Sequence, residues 1–299
     1  MAANLKEVRN RIKSVISTQQ ITKAMKMVSA AKLRKAQQAI VQMRPYSNKL
    51  NTMMSNIMSY SDGDGAAEFA RPSQFQLPLM VIISSDRGLC GAFNTNIFKL
   101  AQKKIQDQYH SQAISGKLSF LFIGKKGFEF FRRRYPNCKL IDQYVNSFSN
   151  LNYESIASIA DVIMADFKMG TFDQVEIFYG RFKNAGTQFA EQEQFLPIKK
   201  IVPEKGETTK KLKPDYIFEP EQAELLKELI PSILQTQLYK CTLDNVASEH
   251  GARMTAMDKA SENAETMLGD LRINYNKARQ EAITRELSEI VGGAAALAG

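Results

Sequence analysis

Apolar residues near the start of the chain recur every three or four positions, which is the spacing of an amphipathic helix. The stripe consists of Leu5, Val8, Ile12, Val15, Ile21, Met25 and Val28. No glycine or proline occurs before Pro45. The pattern therefore predicts a helix of about 44 residues, or about 65 Å. Pro45 is expected to kink or break this helix before the apolar pattern resumes at Leu50.

The last third of the chain carries the longest helical pattern. Helix formers return after Pro220, and no proline follows Pro231. We expect Pro231 to interrupt the helix or to begin a new one, where its missing N–H costs little. A helix from there to about Ala296 would be about 100 Å long. Its heptad seam is Leu268, Leu271, Tyr275, Ala278 and Ala282, and the phase then shifts to Ile283, Leu287 and Ile290.

Between the two arms, strand-like and helix-like segments alternate. Strands are predicted at 79–83, 118–123 and 175–179, with an edge-strand candidate at 188–198. Helices are predicted at 95–109, 125–134 and 153–167, and a polar surface loop at 203–214. This alternation is typical of a mainly parallel sheet covered by helices, Rossmann-like in outline.

A helix as long as the C-terminal one cannot bury its apolar face inside a compact domain, because ordinary globular helices have only three or four turns. It needs a partner, and the other long helix is at the opposite end of the chain. The sequence therefore predicts an α/β protein with a long antiparallel coiled coil of N- and C-terminal helices and a central Rossmann-like α/β head domain. The predicted domains are 1–60, 61–219 and 220–299.

The placement of charge supports this pairing. The formal net charge is +9, yet residues 1–49 contain eleven Lys and Arg against one acid, whereas residues 221–299 contain twelve acids against eight bases. A basic arm and an acidic arm favour each other. The basic arm would also attract phosphate, so a nucleic-acid-binding coiled coil is one alternative. Against it, Tyr46 is the only aromatic residue before Tyr60, and no groove-reading motif is present.

Several classes of site are disfavoured by composition. Three cysteines lie far apart and the chain has two histidines, so a Cys/His metal site is not expected. Scattered thiols are typical of a reduced, cytoplasmic setting. No apolar run approaches the length of about 20 residues that spans a bilayer. We expect the protein to stay in the compartment where it is made, unless a partner holds it on a membrane.

The most enzyme-like segment is Ser84–Asn94, where a strand passes into a helix. Its glycines and the helix N-terminus could cradle a phosphate, which would make the protein a nucleotide enzyme. The segment lacks both common phosphate-loop spacings, and Cys90 has no nearby histidine to activate it. A structural turn is the favoured interpretation. A second basic cluster, Lys125-Lys126 and Arg132-Arg133-Arg134, is interpreted as a solvated face or as the site of an anionic partner.

Long segments of the chain resemble one family. Residues 17–34 resemble the N-terminal helix of the gamma subunits of rotary (F-type) ATP synthases, and residues 247–264 resemble the signature segment of that family. The resemblance continues through residues 271–280 and 283–287, and the head segment 86–91 also matches. The chain is therefore identified as similar to the bacterial type of this family from end to end. It lacks the paired cysteines of the plastid members, so thiol control is not expected.

The resemblance implies a central-stalk rotor that is not itself an enzyme and binds no cofactor. The paired ends of the chain would turn inside the ring of alpha and beta subunits, coupling proton flow to ATP synthesis or hydrolysis. The head would sit on the membrane-embedded ring of c subunits, beside epsilon, at the cytoplasmic face of the bacterial plasma membrane. Nucleic acid would not be a partner. The positions that match the contacts with the beta subunits are Met25, Arg253, Gln280, Thr284 and Glu286.

Overall fold

The computed structural model describes residues 5–60, 69, 76–198 and 222–298. Its helices are α1 (Leu5–Tyr60), α2 (Phe93–Gln108), α3 (His110–Ile114), α4 (Lys125–Arg134), α5 (Tyr153–Lys168) and α6 (Gln222–Ala298). Its strands are β1 (Pro78–Ile83), β2 (Ser119–Ile123), β3 (Lys139–Ile141), β4 (Gln174–Asn184) and β5 (Thr187–Leu196). The chain forms two compact units, one from residues 1–30 with 253–299 and one from residues 31–252.

The 31–252 unit is built on one five-stranded sheet with the order β3-β2-β1-β4-β5. The first four strands in this order are parallel, and β5 is an antiparallel edge strand. All six residues of β1 and all five of β2 are buried, as expected for central parallel strands covered on both faces. The predicted α/β head and its edge strand at 188–198 are therefore present.

The two faces of this sheet bury different helices. Alternate residues of a strand point to opposite faces, so Val81 and Ile82 belong to different cores. The core that contains Val81 also includes apolar residues of α5 and the segment Ile230–Cys241 of α6. The core that contains Ile82 includes residues of α2 and Phe131 of α4. The first part of α6 is thus one of the layers that cover the sheet.

The helix α1 also packs on α6 within this unit. One cluster joins Leu33, Ala36 and Ile40 of α1 to Leu243 and Ala247 of α6. As the position along α1 rises, the partner position along α6 falls, since a second cluster joins Leu50 to Ile233. The two helices are therefore antiparallel here, as the sequence predicts.

Neither Pro45 nor Pro231 ends its helix, because α1 and α6 continue through both, so the expected break at Pro45 and the expected interruption or new start at Pro231 are wrong, while a kink at Pro45 stays a prediction. A proline inside a helix removes one hydrogen bond and costs about 3 kcal/mol. Apolar packing next to each proline offsets this cost. Ile230 and Leu234 flank Pro231 in the core of the sheet, and Leu50 is buried shortly after Pro45. Tertiary contacts thus override the local helix-breaking preference.

A close contact at Gly180 fixes α6 on β4. The backbone N–H of Gly180 donates to Asn245 Oδ1 at 3.0 Å, and its carbonyl accepts from Ser248 Oγ at 2.9 Å. Both side chains are fully buried. A Cβ at this glycine would lie 2.5 Å from the ring of Phe93 and 3.2 Å from the Cβ of Ser248. Only glycine lets the helix approach the strand closely enough for these bonds.

A second set of polar contacts joins an earlier part of α6, around Gln237 and Cys241, to β5. The carboxylate of Glu193 on β5 accepts hydrogen bonds from Tyr179 Oη at 3.1 Å and from Gln237 Nε2 at 2.7 Å. The thiol of Cys241 lies 3.5 Å from the same carboxylate. Burial, with the Glu193 carboxylate beside it, raises the pKa of the Cys241 thiol well above its ordinary value. Cys241 is therefore a packed, protonated thiol, and Cys90 and Cys138 are also buried and free of disulfides.

Some elements were missed by the sequence pattern, and some predictions stay untested. The strand β3 has three residues with no periodicity to read, and α3 has five. The predicted loop at 203–214 lies outside the described residues. The domain limits at 60/61 and 219/220 also adjoin segments outside the described residues, and they stay a prediction.

We expect Gly180→Ala to destabilise the protein by about 1–3 kcal/mol, because the added methyl group overpacks the α6–β4 contact. Urea unfolding followed by circular dichroism measures this change. Gly269→Ala is the matched control, since a Cβ there meets nothing within 4 Å and the residue is helical. It should stabilise by about 0.5–1 kcal/mol. Equal effects of the two substitutions would contradict the close contact.

Candidate partner-binding surfaces

The unit formed by residues 1–30 and 253–299 contains a two-helix antiparallel pairing. Arg9 Nη2 donates to Tyr275 Oη at 2.9 Å, Thr22 Oγ1 lies 2.7 Å from Ser261 Oγ, and Lys26 forms an ion pair with Asp258. The residue number in α1 rises by 17, from 9 to 26, while the partner residue number in α6 falls by 17, from 275 to 258. The register is therefore constant across this unit.

The seam of α1 in this unit is more polar than the sequence stripe suggests. Val8, Thr22 and Ser29 are buried and Val15 is half-buried, which gives a strict seven-residue repeat. The expected stripe residues Ile21 and Val28 are instead 58% and 57% exposed. Each lies one residue before the seam, a rotation of about 100° around the helix. Beyond Val15, Ile21 and Val28 of the stripe therefore face outward, whereas Met25 is half-buried.

Polar groups in this seam are satisfied across or along the helices. Thr22 Oγ1 and Ser261 Oγ have one hydrogen each, so one of them donates across the seam while the other donates to its own helix, to Gln19 O or to Met257 O. Ser29 Oγ donates to Met25 O. The Lys26–Asp258 pair has side chains 41% and 48% exposed, so it contributes at most about 1 kcal/mol. Hydrophobic contact, rather than charge, must therefore supply most of the stability of this unit.

Most of the buried apolar side chains of this unit belong to α6. Met257, Ala264, Leu268 and Leu271 are buried, and Tyr275, Ala278 and Ala282 are half-buried, as expected for the seam. The expected continuation at Ile283, Leu287 and Ile290 does not join the seam, since these side chains are 49%, 57% and 67% exposed. In the constant register, the first described residue of α1, Leu5, comes opposite about residue 279. Beyond that point the described part of α1 offers no facing helix.

The unit consequently presents apolar side chains on its outside. Those at least a third exposed are Ile21, Met27 and Val28 on α1 and Met267, Ile273, Ile283, Leu287, Ile290 and Val291 on α6. Single exposed apolar residues are ordinary, but a run of them on two paired helices is typical of a binding surface. None of the described helices has an apolar stretch able to cross a bilayer.

The five expected contact residues lie in different surroundings. Met25 is half-buried beside the outward stripe, and Arg253 is buried, with 7% of its surface exposed. Gln280 and Thr284 are exposed one turn apart on α6, facing away from the Ala278–Ala282 seam. Glu286 is exposed on the other side of that helix, about 200° from Thr284. The structure thus groups Gln280 with Thr284 and separates Glu286 from them.

The candidate phosphate loop of the sheet is a self-contained turn. Asn94 receives the N–H of Ser85 on Oδ1 at 3.1 Å, and its Nδ2 donates to Ser85 Oγ at 2.7 Å. The carboxylate of Asp86 accepts from the backbone N–H of Lys125 at 3.3 Å. The N-terminus of α4 therefore already faces an anion from the chain itself. At the described residues, no group of three His, Cys, Asp or Glu side chains is placed to hold a metal ion.

The tip of the same turn carries a strained, exposed leucine. Leu89 has φ 64°, a conformation that favours glycine, and its side chain is 67% exposed. Such strain persists only where surrounding contacts impose it, and here the Ser85–Asn94 hydrogen bonds do so. No sequence pattern pointed to Leu89, because the glycines near it suggest a phosphate-binding backbone and not an exposed side chain.

Comparisons with known proteins place the whole chain in one family. The family model described as "ATP synthase" matches residues 4–297. A protein named ATP synthase gamma chain from Cytophaga hutchinsonii is 48% identical, covering 98% of this chain and 99% of that protein. The one from Flavobacterium psychrophilum is 49% identical, covering 99% and 100%. The chain belongs to the ATP synthase gamma-chain family.

Solved structures with this fold come from ATP synthases as well. A chain of the Euglena gracilis mitochondrial ATP synthase OSCP/F1/c-ring structure has a TM-score of 0.68 at 19% identity, covering 98% of this chain and 94% of that chain. A chain of the Tetrahymena thermophila central stalk/c-ring structure has a TM-score of 0.58 at 22% identity, covering 81% and 99%. These likenesses support the predicted fold of a coiled coil with an α/β head.

Substitution of two leucines, one in the buried seam and one on the outer surface, tests the difference between these two environments. Leu268→Ala should destabilise the protein by about 2–4 kcal/mol, because it opens a cavity at a buried seam position. Leu287→Ala removes the same atoms from a side chain that is 57% exposed, and should change stability by less than about 0.5 kcal/mol. Thermal unfolding of the purified chain compares them. A loss at position 287 as large as that at 268 would show that Leu287 is buried after all.

Proposed function

We propose that this chain is the central-stalk rotor subunit of an F-type ATP synthase. It turns inside the ring of alpha and beta subunits and couples transmembrane proton flow to ATP synthesis or hydrolysis. It is not itself catalytic: the nucleotide sites belong to the ring. The family membership carries this proposal, and the outward apolar side chains of the 1–30 and 253–299 unit agree with it.

A rotor must make contacts that differ between states of its partners and that break in every turn. Its surface can bias three chemically identical sites only if it touches them differently. The described surface of α6 suits this need, because Gln280 and Thr284 are exposed on one side together with Leu287, whereas Glu286 is exposed on the other side. Different sides of one helix thus offer different chemistry to whatever surrounds it.

The partners follow from the same proposal. The alpha and beta subunits surround the paired ends of the chain, epsilon lies beside the head, and the c-subunit ring in the membrane carries it. No cofactor and no nucleic acid is required. The protein is then a peripheral one at the cytoplasmic face of the bacterial plasma membrane, held there by its partners.

Within this proposal, Met25, Arg253, Gln280, Thr284 and Glu286 contact the beta subunits. Gln280, Thr284 and Glu286 are exposed and can donate or accept directional hydrogen bonds. Met25 adds an adaptable apolar side chain next to Ile21 and Val28. Arg253 is largely buried within its own chain, so its contribution would be to hold neighbouring residues in position as much as to touch a partner.

Purification with the natural partners tests the function most directly. The chain, tagged in its host, should co-elute with alpha and beta subunits in a complex that hydrolyses ATP. The chain alone should have no ATPase activity above background. Co-elution with nucleic acid in place of alpha and beta subunits would contradict the rotor function, and a robust ATPase rate of the isolated chain would contradict the non-catalytic role.

Met25→Lys should impair coupling, because it puts a charge at a half-buried position beside Ile21 and Val28 of the apolar stripe, where the beta subunits are proposed to bind. Inverted membrane vesicles measure it as proton pumping per ATP hydrolysed. Gln37→Lys is the control, since it adds the same charge at an exposed position of α1 outside this stripe. Unchanged pumping per ATP in Met25→Lys would count against this contact while leaving the family assignment intact.

A further inference from the structure

The last turn of α4 carries three consecutive exposed arginines, Arg132, Arg133 and Arg134. Among the residues that the structure describes, no acid forms an ion pair with them. The ion pair on this helix, between Lys126 and Glu129, lies in its first turns. The three guanidinium groups are therefore charges with no carboxylate partner among the described residues of this chain.

Two of the three guanidinium groups are held by aromatic rings. Arg132 Cζ lies 5.3 Å from the centre of the Phe128 ring, and Arg134 Cζ lies 4.5 Å from the centre of the Phe130 ring. Each arginine follows its phenylalanine by four residues, so each contact runs back along the helix, and the two contacts lie about 200° apart around it. The Phe130 ring is itself fixed, because it stacks on Phe98 of α2 with centroids 4.6 Å apart.

Stacking leaves the edge of a guanidinium free. The five N–H donors of arginine lie in the plane of the group, and the ring contact occupies only its face. A carboxylate can then approach that edge and accept two parallel hydrogen bonds. Because the ring already restricts the long side chain, less conformational entropy is lost when the carboxylate binds. Arg132 and Arg134 are therefore preorganised donors.

The arginines lie at the amino end of the parallel strands. Phe131 and Tyr135 pack on Phe120, whereas the earlier Phe128 packs on Phe122, so α4 runs back toward the start of β2. Lys139 begins β3 opposite Ser119, the first residue of β2. The exposed cations at this edge are Lys117, Arg132, Arg133, Arg134 and Lys139. Asp107 and Asp173 lie toward it, and Asp173 already accepts the N–H of Gln76.

A simpler explanation accounts for only part of this arrangement. A cation in the last turn of a helix is favoured by the helix dipole, by about 0.3–1 kcal/mol. Lysine would satisfy that need equally well, and one residue would suffice. The dipole explains neither the choice of arginine nor the stacking of two guanidinium groups on rings one turn back.

We propose that Arg132 and Arg134, on two sides of the end of α4, each bind a carboxylate of an acidic segment of one partner protein that covers this end of the helix. A membrane of anionic lipid is the other source of negative charge. A lipid surface responds to the number of cations rather than to the shape of each cationic group, so lysine would bind it as well as arginine. The stacked, bidentate geometry favours carboxylates presented in fixed positions by a protein. This docking site does not depend on the rotor function, because it rests on α4 alone.

A binding experiment on the full chain tests the chemistry. The probe is a fluorescein-labelled peptide of repeating glutamate and alanine, followed by fluorescence anisotropy. Arg132→Lys with Arg134→Lys keeps the charge but removes the planar forks, and should weaken binding about 10-fold, because lysine cannot form the two parallel hydrogen bonds that a guanidinium makes with a carboxylate. Lys99→Ala with Lys103→Ala removes two exposed charges from α2, and should change binding less than about twofold at physiological salt.

Cross-linking in the purified native complex then identifies the partner. A zero-length carbodiimide couples amines to carboxylates in contact, so Arg134→Lys introduces an amine at the proposed site. It should couple to an acidic peptide of another subunit, whereas the native amine of Lys125 at the far end of α4 should not. Circular dichroism of each variant verifies that the fold is intact.

Two results would overturn the proposal. Equal peptide affinity of the parent and the double Arg→Lys variant would show that the forks have no role. Tight binding to phosphatidylglycerol vesicles, unchanged in the double variant and with no peptide binding, would assign the cluster to a lipid surface instead. Loss of the peptide affinity with the fold preserved would support the carboxylate site.

Discussion

The length of α6 is the constraint on which the rest of the structure depends. A helix of 77 residues must bury apolar side chains along its course, and no single partner does this for all of them. Between Ile230 and Cys241 it covers one face of the sheet, near Leu243 and Ala247 it packs on α1, and from Met257 to Leu271 it packs on α1 again. Where these partners end, its apolar side chains are exposed. The segments of α6 that stabilise the fold and the segment that exposes apolar side chains therefore follow one another along the helix.

The head is not separable from this helix. Ile230, Leu234 and Leu238 belong to the same core as the central strands, and Asn245 and Ser248 complete the hydrogen bonds of Gly180. Removing the segment would expose the face of the sheet that α5 covers only in part. The compact unit of residues 31–252 therefore contains the inner parts of both helices, residues 31–60 and 222–252, as well as the sheet, whereas the predicted division places each whole arm in a domain of its own.

Helix type, sheet type and the antiparallel pairing were all readable from the sequence, because periodicity and buried runs report local environments directly. The side of α1 that pairs was not. Ile21 and Val28 are more hydrophobic than Thr22 and Ser29, so a pattern based on hydrophobicity chooses the wrong neighbours by one residue. The hydroxyl groups of Thr22 and Ser261 are tolerated inside because each finds a partner, which only the assembled pair of helices reveals. In the same way, Pro45 and Pro231 looked like breaks because their compensating contacts are distant in sequence. The cluster Arg132-Arg133-Arg134 was recognised in the sequence, but the contacts of Arg132 and Arg134 with phenylalanine rings were not, because they depend on how the helix is packed.

The hydroxyl pair of Thr22 and Ser261 has a mechanical consequence. Each oxygen can also donate to a carbonyl of its own helix, Gln19 O or Met257 O, so separation of the pair leaves neither group buried without a partner. Most buried polar contacts resist displacement because breaking them strands a donor or acceptor. The hydrogen bond between Thr22 and Ser261 can break and re-form at small cost. Separation of the two helices at this level therefore leaves both hydroxyl groups hydrogen-bonded to their own backbones.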